Sequence, residues 1–409
     1  MSGIIIIGTG HGGVQAAASL REEGFGGAIT LIGSDPEMPY HKPPLSKAYL
    51  KSAEAHLQLL RGEAFYADND IALMRGVTVT GIDSTARSVS LQDGSSLDYE
   101  ALILATGARP RQLVCPGHDL AGIHTLREAD DAAHLRSEMA TAKDVVVIGG
   151  GFIGLEAAAT FAAAGIRVTV VEMARRVLGR AVSAEVSQHM ATYLKSLGIT
   201  ILTETGISEL TGAQGRVSGA VLSTGVALKA DMVIAGIGAV PETALAEAAG
   251  VACDNGILVD GQMRTSVAGI HAIGDCVSFP HKASGRRLRL ESVQNATDQA
   301  RHVAKVIMGG SADYDTVAWF WSDQGERKLQ MAGLSLDADR FHVTGDMDAG
   351  AFSVWHFAGG DLIAVDSVNK PADHMMGRRI LAAGFTPPDA AIEGGASALK
   401  AALAAFEAG

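Results

Sequence analysis

The chain has 409 residues, 47% of them apolar and 19% charged, which implies two or three folded domains and excludes a single small module or a disordered segment. With 33 Lys and Arg against 45 Asp and Glu the net charge is −12, so the whole molecule has no electrostatic footprint for nucleic acid or an anionic membrane. Cys115, Cys253 and Cys276 form no CxxC, no metal site is expected, and no apolar run nears the ~18 residues of a membrane span or the pattern of a signal peptide, so the expectation is a soluble, cytoplasmic protein.

The chain opens on an apolar, β-branched run, Ile4 to Ile7, followed by Gly8-Thr9-Gly10-His11-Gly12-Gly13 and an alanine-rich stretch that reads as a helix. In such a GxGxxG unit the first glycine makes a tight turn, the second lets backbone approach a pyrophosphate, and the third brings helix and strand together. Phosphates then lie at a helix N-terminus, whose N–H groups and dipole favour anions. The next strand ends near Ile32, and Ser34 and Asp35 beyond it are candidates for a ribose hydroxyl. Further on, Ala101 to Leu104 reads as a buried strand entering Ala105-Thr106-Gly107, a small turn that crosses a nucleotide without side-chain interference.

At Val145 to Ile148 the first pattern restarts, 141 residues on, with Gly149, Gly151 and Gly154 in the places of Gly8, Gly10 and Gly13, and with Phe152 and Ile153 opening the helix. One such turn is compatible with a purely structural part. Two, each between a strand and a helix, predict two dinucleotides. The strand Val168 to Val171 runs directly into Glu172, placed to accept hydrogen bonds from an adenosine ribose and to repel a 2′-phosphate, which favours NADH over NADPH. Arg175 and Arg176 behind it read as a solvated pair. Met232 to Ala235 with Gly236-Ile237-Gly238 repeats the strand and turn at 101–107, and Gly274-Asp275 ends another short strand, its aspartate placed for a sugar hydroxyl or for a helix cap. Near the end, Phe352 to Phe357 and Leu362 to Val365 read as strands joined by a hairpin turn at Ala358-Gly359-Gly360-Asp361.

Together these motifs resemble the two-dinucleotide flavoprotein class of pyridine nucleotide-disulfide oxidoreductases over the first 310 residues or so. Within it, the stretches Pro39 to Lys47, Glu291 to Ala296, Trp319 to Gln324, Asn369-Lys370-Pro371 and Gly377-Arg378-Arg379 resemble the oxygenase-coupled NADH:ferredoxin reductases, of the putidaredoxin reductase and biphenyl dioxygenase reductase kind. The resemblance implies an α/β fold with two Rossmann-like dinucleotide-binding domains, glutathione-reductase-like, plus a C-terminal α/β domain. An FAD-binding domain would cover 1–110 and 235–315, with an NADH-binding domain at 111–234 inserted and a domain at 316–409 capping the flavin.

The implied activity passes hydride from NADH to FAD and single electrons onward to a [2Fe-2S] ferredoxin serving a cytochrome P450 or other oxygenase. Such a reaction needs cofactor alignment more than a protein acid or base. By the resemblance, Lys47 stands at the flavin ring and Glu156, where the first glycine helix has Gln15, partners it beside the nicotinamide. Lys42, Val79, Arg127, Glu291, Ser292, Val293 and Trp321 match positions that contact FAD; Lys42 replaces the arginine of many relatives, keeping the charge but losing the bidentate fork. The cysteine pair of disulfide reduction is missing. An acidic ferredoxin would dock on basic surface, either Arg286, Arg287 and Arg289, in a stretch with a local excess of positive charge, or Lys370, Arg378 and Arg379. Two other readings stay open at this point: an NADH oxidase or reductase of another acceptor, and a redox-sensing interaction protein like apoptosis-inducing factor.

Overall fold

The computed structural model describes residues 3–52 and 54–408. The chain divides into two compact units: Met1–His41, Leu57–Arg109 and Ala239–Thr316 make the first; Lys42–His56, Pro110–Gly238 and Val317–Gly409 make the second.

In the first unit, the strand Gly3–Ile7 lies between Ile29–Gly33 and Ser96–Leu104, all parallel. Ile71–Arg75 pairs outside Ile29–Gly33, and Ile270–Ala272 pairs with Ser96–Leu104, again in parallel. A parallel strand covered on both faces explains the unbroken isoleucine run, every member of which is buried. The helix His11–Glu22 follows the first glycine turn and packs on the helix Val293–Ile307 through small residues, so that Gly12 sits against Ala296.

The second unit repeats this arrangement. Asp144–Ile148 lies between Arg167–Val171 and Met232–Ala235 in a five-stranded parallel sheet completed by Thr200–Leu202 and Ile123–His124. The duplication holds to the residue: Ile7 stands opposite Ile32 and Leu104, and Ile148 opposite Val171 and Ala235.

The same unit carries a five-stranded antiparallel sheet ordered Trp319–Gln324, Arg327–Gly333, Asp361–Val368, Ala351–Ala358, Arg340–Asp346. Its central hairpin turns at Gly359 and Gly360, with φ of 59° and 97°, the left-handed pair that a two-residue turn between twisted strands requires. One sheet face buries Trp355, Phe357 and Val365 against the helices Pro371–Ala382 and Gly395–Ala408. The other meets the helices Phe152–Ala163 and Ala184–Ser196, with ring centroids 4.6 Å apart for Phe152 and Phe320 and 4.9 Å for His189 and Phe352.

Candidate dinucleotide sites

The two glycine turns share one hydrogen-bonding scheme. Gly8 N–H donates to Ile32 O at 2.7 Å and Ala105 N–H to Ile7 O at 2.8 Å; Gly149 N–H donates to Val171 O and Gly236 N–H to Ile148 O, both at 2.8 Å. Gly8 and Gly149 are left-handed, with φ of 117° and 103°, and a Cβ on them would stand 2.1 Å from Ala105 O and 2.3 Å from Gly236 O. Glycine is therefore obligatory at both. A Cβ on Gly13 or Gly154 would stand 1.8 Å from Gly8 O or 2.6 Å from Gly149 O, so each helix rests directly on its turn. At Gly10 a Cβ would meet nothing within 4 Å, and at Gly151 nothing nearer than 4.0 Å. Both helix N-termini thus face open space over bare backbone, which fits the approach of a pyrophosphate.

The turns differ where the second strand ends. Glu172 accepts a hydrogen bond from Gly150 N–H at 2.6 Å on Oε2 and one from Ala174 N–H at 2.7 Å on Oε1. The equivalent strand end in the first unit is Gly33, over which lies the Thr9 side chain; a Cβ on Gly33 would be 2.2 Å from Thr9 Oγ1. The acid of the first unit comes two residues later: Asp35 accepts from Tyr40 Oη and Glu37 N–H, both at 2.9 Å, next to the exposed Ser34. The expected solvated pair holds only in half. Arg175 is open to solvent, whereas Arg176 donates to Val182 O at 2.7 Å and Ser183 O at 3.0 Å and so pins the loop before the helix Ala184–Ser196.

Other singled-out residues of the first unit lie around its turn or strand ends. Thr106 Oγ1 donates to Glu242 O at 2.7 Å, Gly107 has φ 72°, and Gly274 N–H donates to the buried Gln299 Oε1 at 2.7 Å. Asp275 follows in a single 3-10 turn, Ser292 caps the helix opened by Val293, and Glu291 pairs with Arg289 at 2.6 Å. Val79 is buried in the antiparallel strand Val79–Asp83.

In the second unit the structure assembles a buried charged cluster. Lys47 Nζ lies 2.9 Å from Glu156 Oε2. Ser46 Oγ donates to the same oxygen and Ser322 Oγ to Oε1, each at 2.6 Å, and Glu156 is only 6% exposed. Ser46 and Ser322 escaped the reading of the sequence, although each adjoins a residue that was singled out, Lys47 and Trp321. Trp321 tilts against Trp319 with centroids 5.8 Å apart. Lys42 grips both carboxylate oxygens of Glu128, at 2.5 and 2.6 Å, and Arg127 N–H donates to Asp131 at the start of the helix Ala129–Met139.

Both basic stretches are partly engaged. Arg287 donates to Val259 O at 2.7 Å and Ser278 O at 2.5 Å, Arg289 is 12% exposed against Glu291, and Lys282 pairs with Asp315, while Arg286 is exposed at the strand Arg286–Leu288. On the helix Pro371–Ala382, Arg378 lies 4.2 Å over the Trp319 ring, Lys370 reaches Asp373 at 3.6 Å, and Arg379 is exposed beside Met375, which is 63% open to solvent. All three cysteines are free, and burial pushes each thiol pKa up, which disfavours the thiolate. Among the described residues there is no cluster that could hold a metal ion and no helix long and apolar enough to cross a membrane.

The model of the family described as pyridine nucleotide-disulphide oxidoreductase matches residues 2–300, and the one described as reductase C-terminal matches residues 319–403. The chain belongs to the pyridine nucleotide-disulphide oxidoreductases. Among curated members it is 47% identical to rhodocoxin reductase of Rhodococcus erythropolis, over 95% of this chain and 92% of that one, and 40% identical to putidaredoxin reductase CamA of Pseudomonas putida, over 92% and 91%. Among solved members, the ferredoxin reductase for the CYP199A2 system from Rhodopseudomonas palustris superposes with a TM-score of 0.94 at 42% identity, covering 96% of this chain and 97% of that one. The covalent putidaredoxin reductase–putidaredoxin complex superposes equally well, with a TM-score of 0.94 at 38% identity over 100% and 99% of the two chains.

Proposed function

We propose that this oxidoreductase is an FAD-dependent NADH:ferredoxin reductase whose acceptor is a small [2Fe-2S] ferredoxin serving a cytochrome P450 or other oxygenase. The observation that carries the reading is the doubled glycine turn, open over both helix N-termini, in a chain with no cysteine pair to receive electrons. Relatives that span more than nine-tenths of the chain are reductases of rhodocoxin, ferredoxin and putidaredoxin by name, which supports an iron–sulfur acceptor over oxygen or a sensing role.

FAD supplies the chemistry that converts a two-electron hydride into single electrons. Residues 1–110 and 235–315 would bind it, with the Gly8-to-Gly13 turn at the pyrophosphate, Ser34 and Asp35 at the ribose, and Ala105-Thr106-Gly107, Gly274-Asp275 and Val293 contributing backbone and hydroxyl contacts. Residues 111–234 would bind NADH, with Gly149 to Gly154 at the pyrophosphate, Glu172 on the adenosine ribose, and Gly236 and Gly238 in the facing turn. Lys47 and Glu156 are the charged pair assigned to the hydride step, and 316–409 forms the capping domain.

For an acidic ferredoxin, the helix Pro371–Ala382 is the better docking face. In each set two of the three cations are engaged within their own unit, Arg287 and Arg289 in one and Lys370 and Arg378 in the other; what favours the helix is an exposed Arg379 beside the exposed apolar Met375, with a cation stacked on Trp319. The test is an anaerobic NADH titration of purified protein, followed by turnover with a panel of [2Fe-2S] ferredoxins, a rubredoxin and oxygen. The expected result is a yellow protein with one FAD per chain, bleached by NADH, whose turnover accelerates with a ferredoxin. Colourless protein that FAD cannot reconstitute, or NADH oxidation that only oxygen or rubredoxin accelerates, overturns the assignment.

A further inference from the structure

We infer that Ser322, with Ser46, is a positioning residue for hydride transfer, acting through Glu156; the inference rests on the assignment of Glu156 and Lys47 to that step. A carboxylate this deeply buried is stable only with its lone pairs matched by donors. Here the two oxygens have separate sets: Oε1 takes the Ser322 hydroxyl at 2.6 Å, and Oε2 takes the Ser46 hydroxyl at 2.6 Å and the Lys47 ammonium at 2.9 Å.

Two anchored oxygens define the plane of a carboxylate, whereas one leaves its terminal torsion broad. Ser322 on Oε1 and Ser46 on Oε2 therefore fix the carboxylate plane between them, and Oε2 in turn fixes where the Lys47 ammonium rests. Each hydroxyl has supports of its own. Ser322 is fully buried on the sheet face that meets the helix Phe152–Ala163, with Gln324 Nε2 at the outer limit of hydrogen bonding, 3.5 Å, from its oxygen. Thr160, one turn after Glu156, donates to Ser46 O at 3.1 Å and ties the backbone of the Ser46-Lys47 segment to the same helix. Ser322 lies 166 residues from Glu156 and belongs to the C-terminal antiparallel sheet. That sheet thus reaches the donor side of the reaction, in addition to any part it has in docking an acceptor.

The experiment is a double-mutant cycle of Ser322→Ala and Glu156→Ala, with Ser46→Ala as a parallel arm. The limiting rate of flavin bleaching by NADH, the NAD+ dissociation constant of the oxidised holoenzyme by calorimetry, and its urea midpoint are read for each variant. Ser322→Ala should lower the limiting rate about tenfold and leave the dissociation constant within about twofold, because it misplaces the pair without touching nucleotide. In the Glu156→Ala background the same substitution should change the rate less than about twofold, since a residue that acts through another has nothing left to act on. The urea midpoints should show the same non-additivity. An unchanged rate in Ser322→Ala, additive losses in the cycle, or a loss carried by weaker nucleotide binding would each overturn the inference while leaving the pair intact. An unchanged rate in Glu156→Ala would overturn the assignment of the pair, and this inference with it.

Discussion

The two glycine turns are the same backbone with opposite side-chain solutions. In the second, the strand end supplies a carboxylate that folds over Gly150; in the first, the turn supplies Thr9, which folds over Gly33. Only one side chain fits over each turn. A threonine at the second turn position leaves no room for an acid at the strand end, and the first unit takes its acid two residues later, at Asp35, held by Tyr40. The duplicated frame keeps what the backbone needs, glycine at positions one, three and six, and leaves the side chain beside each turn to a local exchange of bulk.

The strongest way to break this equivalence is to block each turn in turn. Gly8→Ala and Gly149→Ala each add left-handed strain and a clash with a carbonyl, each roughly 1–3 kcal/mol. Gly8→Ala should yield colourless protein, whereas Gly149→Ala should stay yellow, be bleached by dithionite and no longer respond to NADH. Absorption spectra check both, and loss of FAD from Gly149→Ala would show that the sites are not independent.

Each unit also contains a deeply buried histidine whose proton it holds off. Burial lowers the pKa of His271 to about 4, and burial followed by the nearby Arg378 cation does the same for His374, both ring nitrogens of which lack a hydrogen-bond partner. Each is neutral when folded and takes up a proton on unfolding once the pH falls below its ordinary 6.5. Stability is therefore full above about pH 6.5 and falls as the pH drops towards 4, by roughly 2–3 kcal/mol for each group. Urea midpoints measured across that range should show the loss, and His374→Phe should remove its share.

At the strand ends, Glu172→Ala should narrow the preference for NADH over NADPH by roughly 1–3 kcal/mol, through lost ribose hydrogen bonds and relieved repulsion. In the first unit, Gly33→Glu should be tolerated only together with Thr9→Gly, with a coupling of roughly 1–3 kcal/mol in urea unfolding. Additive costs there would mean that the two side chains do not compete for one space.

The smallest effect concerns the basic stretches. Charge reversal of Lys370, Arg378 and Arg379 should slow ferredoxin reduction about tenfold at low salt and flatten its salt dependence, with flavin bleaching by NADH unchanged. Reversal of Arg286, Arg287 and Arg289 should instead register mainly in the urea midpoint, since Arg287 holds two backbone carbonyls and Arg289 is 12% exposed. The opposite pattern would move the docking face to the second set.

Much of the frame was legible in the residues. The isoleucine run, the valine run and the six-residue glycine spacing are local signals, set by hydrogen bonds and contacts within a strand–turn–helix, and the hairpin at Gly359-Gly360 is set by two left-handed residues. The partnerships were not. Lys42 meets Glu128 from 86 positions away, and Ser322 meets Glu156 from 166, distances over which no periodicity or spacing carries a signal. Arg287 and Arg289 read as surface charge because composition says nothing about which way a short strand faces.

The sequence by itself determined that the chain is an α/β protein with two dinucleotide turns, because glycine, β-branched residues and alanine constrain the backbone around them whatever lies further off. It also determined that Glu172 closes a strand, since that follows from adjacency. Only the tertiary structure decided that Thr9 excludes an acid at Gly33, that Glu156 is buried among three donors, and which cations of each basic stretch are engaged, Arg287 and Arg289 in one, Lys370 and Arg378 in the other. Those outcomes depend on burial and on which distant side chains converge, and an isolated residue carries neither.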